Sequence, residues 1–289
     1  MRFRFAIADV FTDRPYTGNQ LAVFPRAEGI PEAAMQKIAR EFNFAETTFV
    51  FPPSDAKHAA RVRIFTPNKE LPFAGHPTIG TAVVLAHLGL VKAKAFVLEE
   101  GVGPIAVEVS GNRASFAVEK PVEVPEVRAS LSACAAALSL APGDVADAWF
   151  ASAGVPFCFV RLKDRKAVDR ASLDRAAWSR GFARAWSPNL YLFTGDTELY
   201  VRMFAPAFGI EEDPATGSGA VALAGVLAGR APQKDGSFAW RIDQGVAMGR
   251  PSRIDASAEK RDGRVARITI GGAAVVVAEG EMEVPTSLP

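Results

Sequence analysis

Cysteine is scarce in this chain: Cys134 and Cys158 are the only two thiols in 289 residues. Two thiols make no disulfide framework, and the count fits a reducing cytoplasm, where the protein is expected to reside. Histidine is nearly as rare. His58, His76 and His87 are scattered, with no HExxH or CxxC spacing, so no metal site is expected. Charge of one sign is missing too. The net charge is +1, charged residues make up 22%, and no basic tract or aromatic stacking platform occurs, which argues against nucleic acid or a membrane surface as partner. The most apolar segments are one helix long and broken by glycine, too short to span a bilayer. The opening MRFRFAIADVF lacks the apolar core and small-residue cleavage site of a signal peptide. No GxGxxG follows a strand and no P-loop is present, so no nucleotide cofactor is expected.

What the chain does have is a repeat. RIFTPNKELPFAGHPTIGTAVVLAHLGL starts at Arg63, and RMFAPAFGIEEDPATGSGAVALAGVLAG starts at Arg202. Arg63, Phe65 and Pro67 match Arg202, Phe204 and Pro206 at a constant offset. After a connection three residues longer in the second copy, Gly75 matches Gly217. Each copy reads as a strand, a small-residue turn and a buried helix. The first amides of a helix lack internal partners and carry partial positive charge, so two such ends suggest a site for an anion, in particular a carboxylate, held between two related halves.

The remaining patterns are mostly β. FRFAIADVF and QLAVF flank the turn PYTGN, and FAETTFVF (44–51) and RVRIFTP are further strands. PEAAMQKIAREF is an amphipathic helix with Ile30, Met35, Ile38 and Phe42 on one stripe. From Pro77 to Leu90 the helix is apolar nearly all round and has to be surrounded, with Pro77 at its first position and Gly89 at its exit. AFVLEE, IAVEVS and ASFAVEK follow as strands, and KPVEVPEV, from Lys120, is assigned as linker. The second half reads as helix LSACAAALSL, strands WFASAG and PFCFVRL, one polar helix through DRASLDRAAWSRGF, strands NLYLFTG and LYVRMFAP, a buried helix over 218–228, and a β tail. The expected fold class is α+β: two similar domains, each a strongly curved antiparallel sheet or barrel around a central buried helix. Domain boundaries are placed at 1–119, completed by a C-terminal strand over 277–289, and at 120–276.

Three places can carry chemistry. In FAGHPT, Gly75 lets a ligand approach the backbone, and His76, beside a positive helix end, favours its neutral form and can donate or shuttle a proton. His76 reads equally as a residue that caps the helix and packs. In EEDPATGSG, Asp213 precedes the helix, Gly217 and Gly219 keep the backbone bare, and Ser218 offers a hydroxyl and an amide; alone, Asp213 reads as a dipole partner. Glu46 shares a strand face with Phe44, Thr48 and Val50. Burial there would raise its pKa toward that of a base working near neutrality, whereas an edge strand would leave it in solvent. His58 reads as a surface residue, His87 as a satisfied core histidine, and both cysteines as small core residues.

With those residues in view, the chain resembles the PhzF family of phenazine-biosynthesis-type isomerases, within the diaminopimelate epimerase fold. The resemblance rests on DVFTDRPYTGNQLAVF, NFAETTF, FTPNKELPFAGHPTIGTA and EDPATGSGA in this order and spacing. It implies an active site in the cleft between two domains, without cofactor or metal, in a homodimer. It implies Glu46 as the carbon acid and base, with His76, Asp213 and Ser218 as catalytic neighbours. Gly75, His76, Gly217, Ser218 and Asn19 would bind the substrate, a small carboxylate of the trans-2,3-dihydro-3-hydroxyanthranilate type that undergoes a double-bond shift. Epimerases and racemases of the same fold place a cysteine at each helix start; those positions here are Ala74 and Thr216, which cannot support two-thiol inversion. Two departures bear on substrate choice: Ala45 where relatives often have Ser, and Gly219 where many have Ala. A non-catalytic metabolite-binding module and a one-base epimerase of an amino or hydroxy acid remain as alternatives.

Overall fold

A computed structural model describes residues 1–285. In chain order its elements are β1 Arg2–Val10, β2 Asn19–Phe24, α1 Glu32–Phe42, β3 Glu46–Phe51, β4 Ala60–Phe65, β5 Glu70–Leu71, α2 Gly75–His87, β6 Ala95–Glu100, β7 Gly103–Ser110 and β8 Arg113–Val118. Then follow α3 Leu131–Ala137, β9 Val145–Ser152, β10 Pro156–Leu162, α4 Arg165–Arg170, α5 Arg175–Gly181, β11 Leu190–Thr194 and β12 Glu198–Phe204. The last elements are α6 Gly217–Arg230, β13 Gly236–Gln244, β14 Ser252–Arg261 and β15 Arg264–Glu283. The chain divides into two compact units, Met1–Ala117 with the segment from Gly271 onward, and Val118–Ile270. The sequence expectation drew its boundaries at 119/120 and 276/277; positions 286–289 of its closing strand lie outside the described residues.

In the first unit eight strands run in the order β1-β2-β3-β4-β6-β7-β8-β15, and β15 pairs back onto β1 from Arg2↔Glu283 to Val10↔Ala274, closing a barrel. Inside it sits α2, buried at every position from Gly75 to Leu85. A helix apolar on all sides gains only by being enclosed, and α2 touches β1, β2, β3 and β7. Successive residues of β3 serve opposite faces. Thr48 bonds Thr81 of α2 across 2.9 Å, while Phe49 stacks on Phe24 at 5.1 Å in the cluster under α1. Each such buried aromatic contributes about 1.5–3 kcal/mol relative to exposure.

The second unit repeats the plan with the order β9-β10-β11-β12-β13-β14-β15 and with α6 buried against β9, β10, β13 and β14. A second layer of α3, α4 and α5 covers a cluster containing Phe150, Phe182, Leu190 and Phe204.

The sheets are predominantly antiparallel, as expected, and β2–β3, β4–β6, β10–β11 and β12–β13 pair in parallel. In each case one or two helices make the crossover that a parallel pair requires. The buried helix α2 starts at Gly75, so Pro77 is its third residue; a missing N–H is tolerated anywhere in the first turn. The single polar helix is two, because Asp164 and Asp174 each cap a new start by accepting from Ala167 N–H and Ala177 N–H. His87 is not a core residue: as the last residue of α2 it emerges from the barrel, 53% exposed, near Glu279. His58 is only 21% exposed and pairs with Glu99 at 2.9 Å.

Candidate active site

The sequence repeat proves to be a physical clamp. Arg63 grips Glu70 through two bonds of 2.7 Å and lies over Phe65; Arg202 grips Glu212 through two of 2.8 Å and lies over Phe204. The three extra residues of the second copy fall between Arg202 and Glu212. From the glutamate onward the copies share Glu-x-Pro-x-x-Gly, as Glu70, Pro72, Gly75 and as Glu212, Pro214, Gly217. The arginine therefore fixes the connection that delivers each helix start.

Strand register extends the equivalence. Thr47 pairs with Phe65 and Leu190 with Phe204, so the residue before each, Glu46 or Asn189, occupies the same place in its unit. Likewise Ala60 pairs with Leu98 and Leu199 with Ile242, which aligns Leu98-Glu99-Glu100-Gly101 with Ile242-Asp243-Gln244-Gly245. A methyl on Gly101 would meet Pro72 at 2.7 Å, and one on Gly245 would meet Pro214 at 2.7 Å. Only glycine permits this approach of strand end to helix start.

In the first unit, Glu46 opens β3, which lies between β2 and β4 and is no edge strand. Its side chain is 13% exposed, and its Oε2 lies 3.1 Å from Nδ1 of His76, itself 4% exposed. His76 is the second residue of α2. Its Nε2 lies 3.3 Å from the Gln20 carbonyl, which can only accept, so Nε2 carries hydrogen. Asn19 Nδ2 is 3.4 Å from Nδ1. Burial pushes the imidazole down to about 3, against the opposing pull of the Gln20 carbonyl, so it is neutral at pH 7. With Nε2 protonated and the ring neutral, Nδ1 is an acceptor facing a carboxyl oxygen. The structure thus brings together Glu46, His76, Gly75 and Asn19.

In the second unit, Asp213 is 8% exposed and accepts from Thr216 Oγ1 at 2.6 Å. Gln244, fully buried, donates to the Asp213 carbonyl at 2.8 Å and to Thr216 Oγ1 at 2.9 Å, and accepts from Thr216 N–H at 3.2 Å. Ser218 is half-buried in the first turn of α6 between buried Gly217 and Gly219. A methyl on Gly219 would meet the Tyr191 ring at 2.5 Å, so the bare turn is what admits that ring. Burial, aided by the Asp213 charge, holds the Tyr191 phenol well above its ordinary pKa. Asp213, Gly217 and Ser218 therefore share one turn, with Thr216, Gln244 and Tyr191 beneath it.

The sequence reading missed Thr78, Glu100, Tyr191 and Gln244. The available signal was the Glu/Gln-Gly pair that follows each buried helix. The cysteines are core residues as expected, with sulfurs 3.9 Å apart and both buried. They lie in the second unit's outer cluster, while Ala74 and Thr216 hold the helix starts. Among the described residues, no group of three or more His, Cys, Asp or Glu is placed to hold a metal ion, and no helix is long and apolar enough to cross a membrane.

Two buried helices in curved sheets define an α+β fold of the diaminopimelate epimerase kind. Residues 8–280 match the family described as phenazine biosynthesis-like protein. An uncharacterized isomerase of Mesorhizobium japonicum is 42% identical, with 96% of this chain and 98% of that protein covered. A trans-2,3-dihydro-3-hydroxyanthranilate isomerase of Pseudomonas fluorescens is 36% identical over 96% of this chain and 98% of its own. The Bacillus anthracis phenazine biosynthesis protein of the PhzF family superposes with a TM-score of 0.87 at 23% identity, covering 98% of this chain and 100% of that one, a likeness of fold. The chain belongs to the PhzF family and is an enzyme of the isomerase class.

Proposed function

We propose that the protein shifts a proton on a small carboxylate of the trans-2,3-dihydro-3-hydroxyanthranilate type, without a cofactor, and that Glu46 is the carbon acid and base. The observation that carries this reading is the buried contact of Glu46 with His76 at 3.1 Å. As a carboxylate, Glu46 is able to take hydrogen from a carbon next to a double bond. The C–H electron pair becomes the new double bond, and the old one opens at its far carbon. Glu46 then returns the proton there. No electrons enter or leave, and Glu46 ends as the carboxylate it began as.

Asn189 at the counterpart position supports a single base, because an amide takes no proton at neutral pH. The free amides of Gly75 and His76 at the start of α2 are proposed to hold the substrate carboxylate, with Asn19 beside them. Asp213, Gly217 and Ser218 are proposed to act in the same reaction from the α6 turn. The test is turnover in heavy water, with trans-2,3-dihydro-3-hydroxyanthranilate and other small unsaturated and amino carboxylates, read by mass spectrometry. Deuterium should enter carbon with wild type. With Glu46→Gln, turnover should fall about 10²–10⁴-fold while ligand affinity changes little. Turnover unchanged in that variant would remove Glu46 from the mechanism, and bound ligand without exchange in wild type would favour a binding module.

A further inference from the structure

Glu100 ends β6 beneath the first turn of α2, 7% exposed, and the chemistry proposed above does not use it. Its Oε1 lies 2.8 Å from Thr78 Oγ1, which in turn lies 2.9 Å from the carbonyl of Ala74, the residue just before α2. Its Oε2 is buried without a hydrogen-bond partner. Thr78 has one hydroxyl hydrogen and faces two oxygens. The Ala74 carbonyl can only accept, so when Thr78 donates there the contact with Glu100 needs hydrogen from the carboxyl. An ionised carboxylate would be left with a contested bond on one oxygen and none on the other, an arrangement that disfavours charge.

The second unit supplies an independent argument. The register places Gln244 where the first unit has Glu100, and Gln244 binds the residue just before α6, Thr216, through both its amide and its hydroxyl. A protonated carboxyl and a carboxamide have the same shape, and each can donate and accept. We infer that Glu100 is a positioning residue, held as a neutral acid, that fixes the α2 amide turn through Thr78 and keeps negative charge out from under it. The Ala74–Gly75 peptide is planar and trans, so anchoring the Ala74 carbonyl sends the Gly75 N–H the opposite way. This inference rests on the reading that those amides hold a carboxylate.

Among the described residues, no charged side chain counters Glu100. On α2, the titratable group of the first turn is His76, held neutral by burial. On β6, Glu99 points to the other side and accepts from Ser54 N–H, Asp55 N–H and His58. On β4, Arg61 lies over Phe51 and Arg63 is held by Glu32 and Glu70. On β7, Glu108 is exposed. Burial, opposed by the Thr78 contact, pushes Glu100 up to about 8.

The test compares wild type with Glu100→Gln and Glu100→Leu, using trans-2,3-dihydro-3-hydroxyanthranilate. Leu should raise KM about tenfold at pH 7 with a smaller change in kcat, and Gln should restore it. Above pH 8 the wild-type KM should climb about tenfold per pH unit, while the Gln variant stays flat. Two readouts need no substrate. Infrared difference spectra of wild type against Glu100→Gln should show a protonated-carboxyl stretch at pH 6 that disappears at pH 10. The Gly75 and His76 amide nitrogen shifts should titrate with it. A missing stretch, or amide shifts that ignore it, overturns the inference. If both are present and KM stays flat, the role of Glu100 stands and the carboxylate-holding reading fails.

Discussion

Two buried titratable residues at the start of α2 pull stability in opposite directions with pH. His76 has a folded pKa depressed to about 3, so the unfolded chain binds the extra proton below its ordinary 6.5. Its contribution is present above that value and is lost as pH falls toward 3. Glu100 has a folded pKa raised from 4.5 to about 8, so its contribution is present below 4.5 and is lost as pH rises toward 8. Each limb is worth on the order of a few kcal/mol. Glu100→Gln should therefore gain stability over wild type as pH rises from 4.5 to 8, with a constant difference beyond. Urea unfolding midpoints at pH 4.5, 6 and 8.5 check this, and curves that run parallel for the two proteins would refute it. Glu46 and His76 were visible as residues in their motifs, but the way the imidazole is held was not. It depends on which nitrogen faces Gln20, a backbone carbonyl that no pattern of residue types announces.

Among the elements, the two arginine clamps differ in depth, and so should their worth. Arg202 is 10% exposed and also donates to the carbonyls of Val168, Asp169 and Ala171, whereas Arg63 is 23% exposed and pairs with glutamates at the surface. Arg202→Ala strands half-buried Glu212 and three carbonyls, for a loss of about 3–5 kcal/mol. Arg63→Ala should cost about 1 kcal/mol beyond its lost packing. Equal losses in chemical denaturation would contradict this account. Gly219→Ala forces a methyl into the Tyr191 ring and should cost about 1–3 kcal/mol. The arginine, phenylalanine and proline of the repeat stood out in the sequence because they keep one offset. Glu-x-Pro-x-x-Gly and the Glu/Gln-Gly strand end did not, since the three-residue insertion and helices of unequal length shift them out of step. The positions that agree between copies build the frame. Those that differ, Glu46 with Asn189, Leu71 with Asp213 and His76 with Ser218, are the positions to which the proposed chemistry is assigned.

For the molecule as a whole, the first unit is made from both ends of the chain. The strand it receives from Gly271 onward is the one that closes the eight-strand barrel against β1 and β8. A chain ending at residue 270 should lose protection across β1 and β8 first, because their ladders become open edges, while β9 to β13 keep theirs. Hydrogen exchange read by mass spectrometry distinguishes this from uniform loosening. Two similar halves, each wrapped on an apolar helix, were legible from the repeat and its hydropathy. The parallel crossovers were not, because a short apolar strand looks the same whichever way its neighbour runs.

The two thiols acquire a use from their location. Cys134 and Cys158 are sealed in the second unit, and the first unit has no cysteine at all. A thiol-reactive dye can label the native protein only when that unit opens, so its rate is a clock for one half of the molecule. Set beside a probe of global unfolding, the same protein reports without any engineered label whether its halves come apart together or in turn.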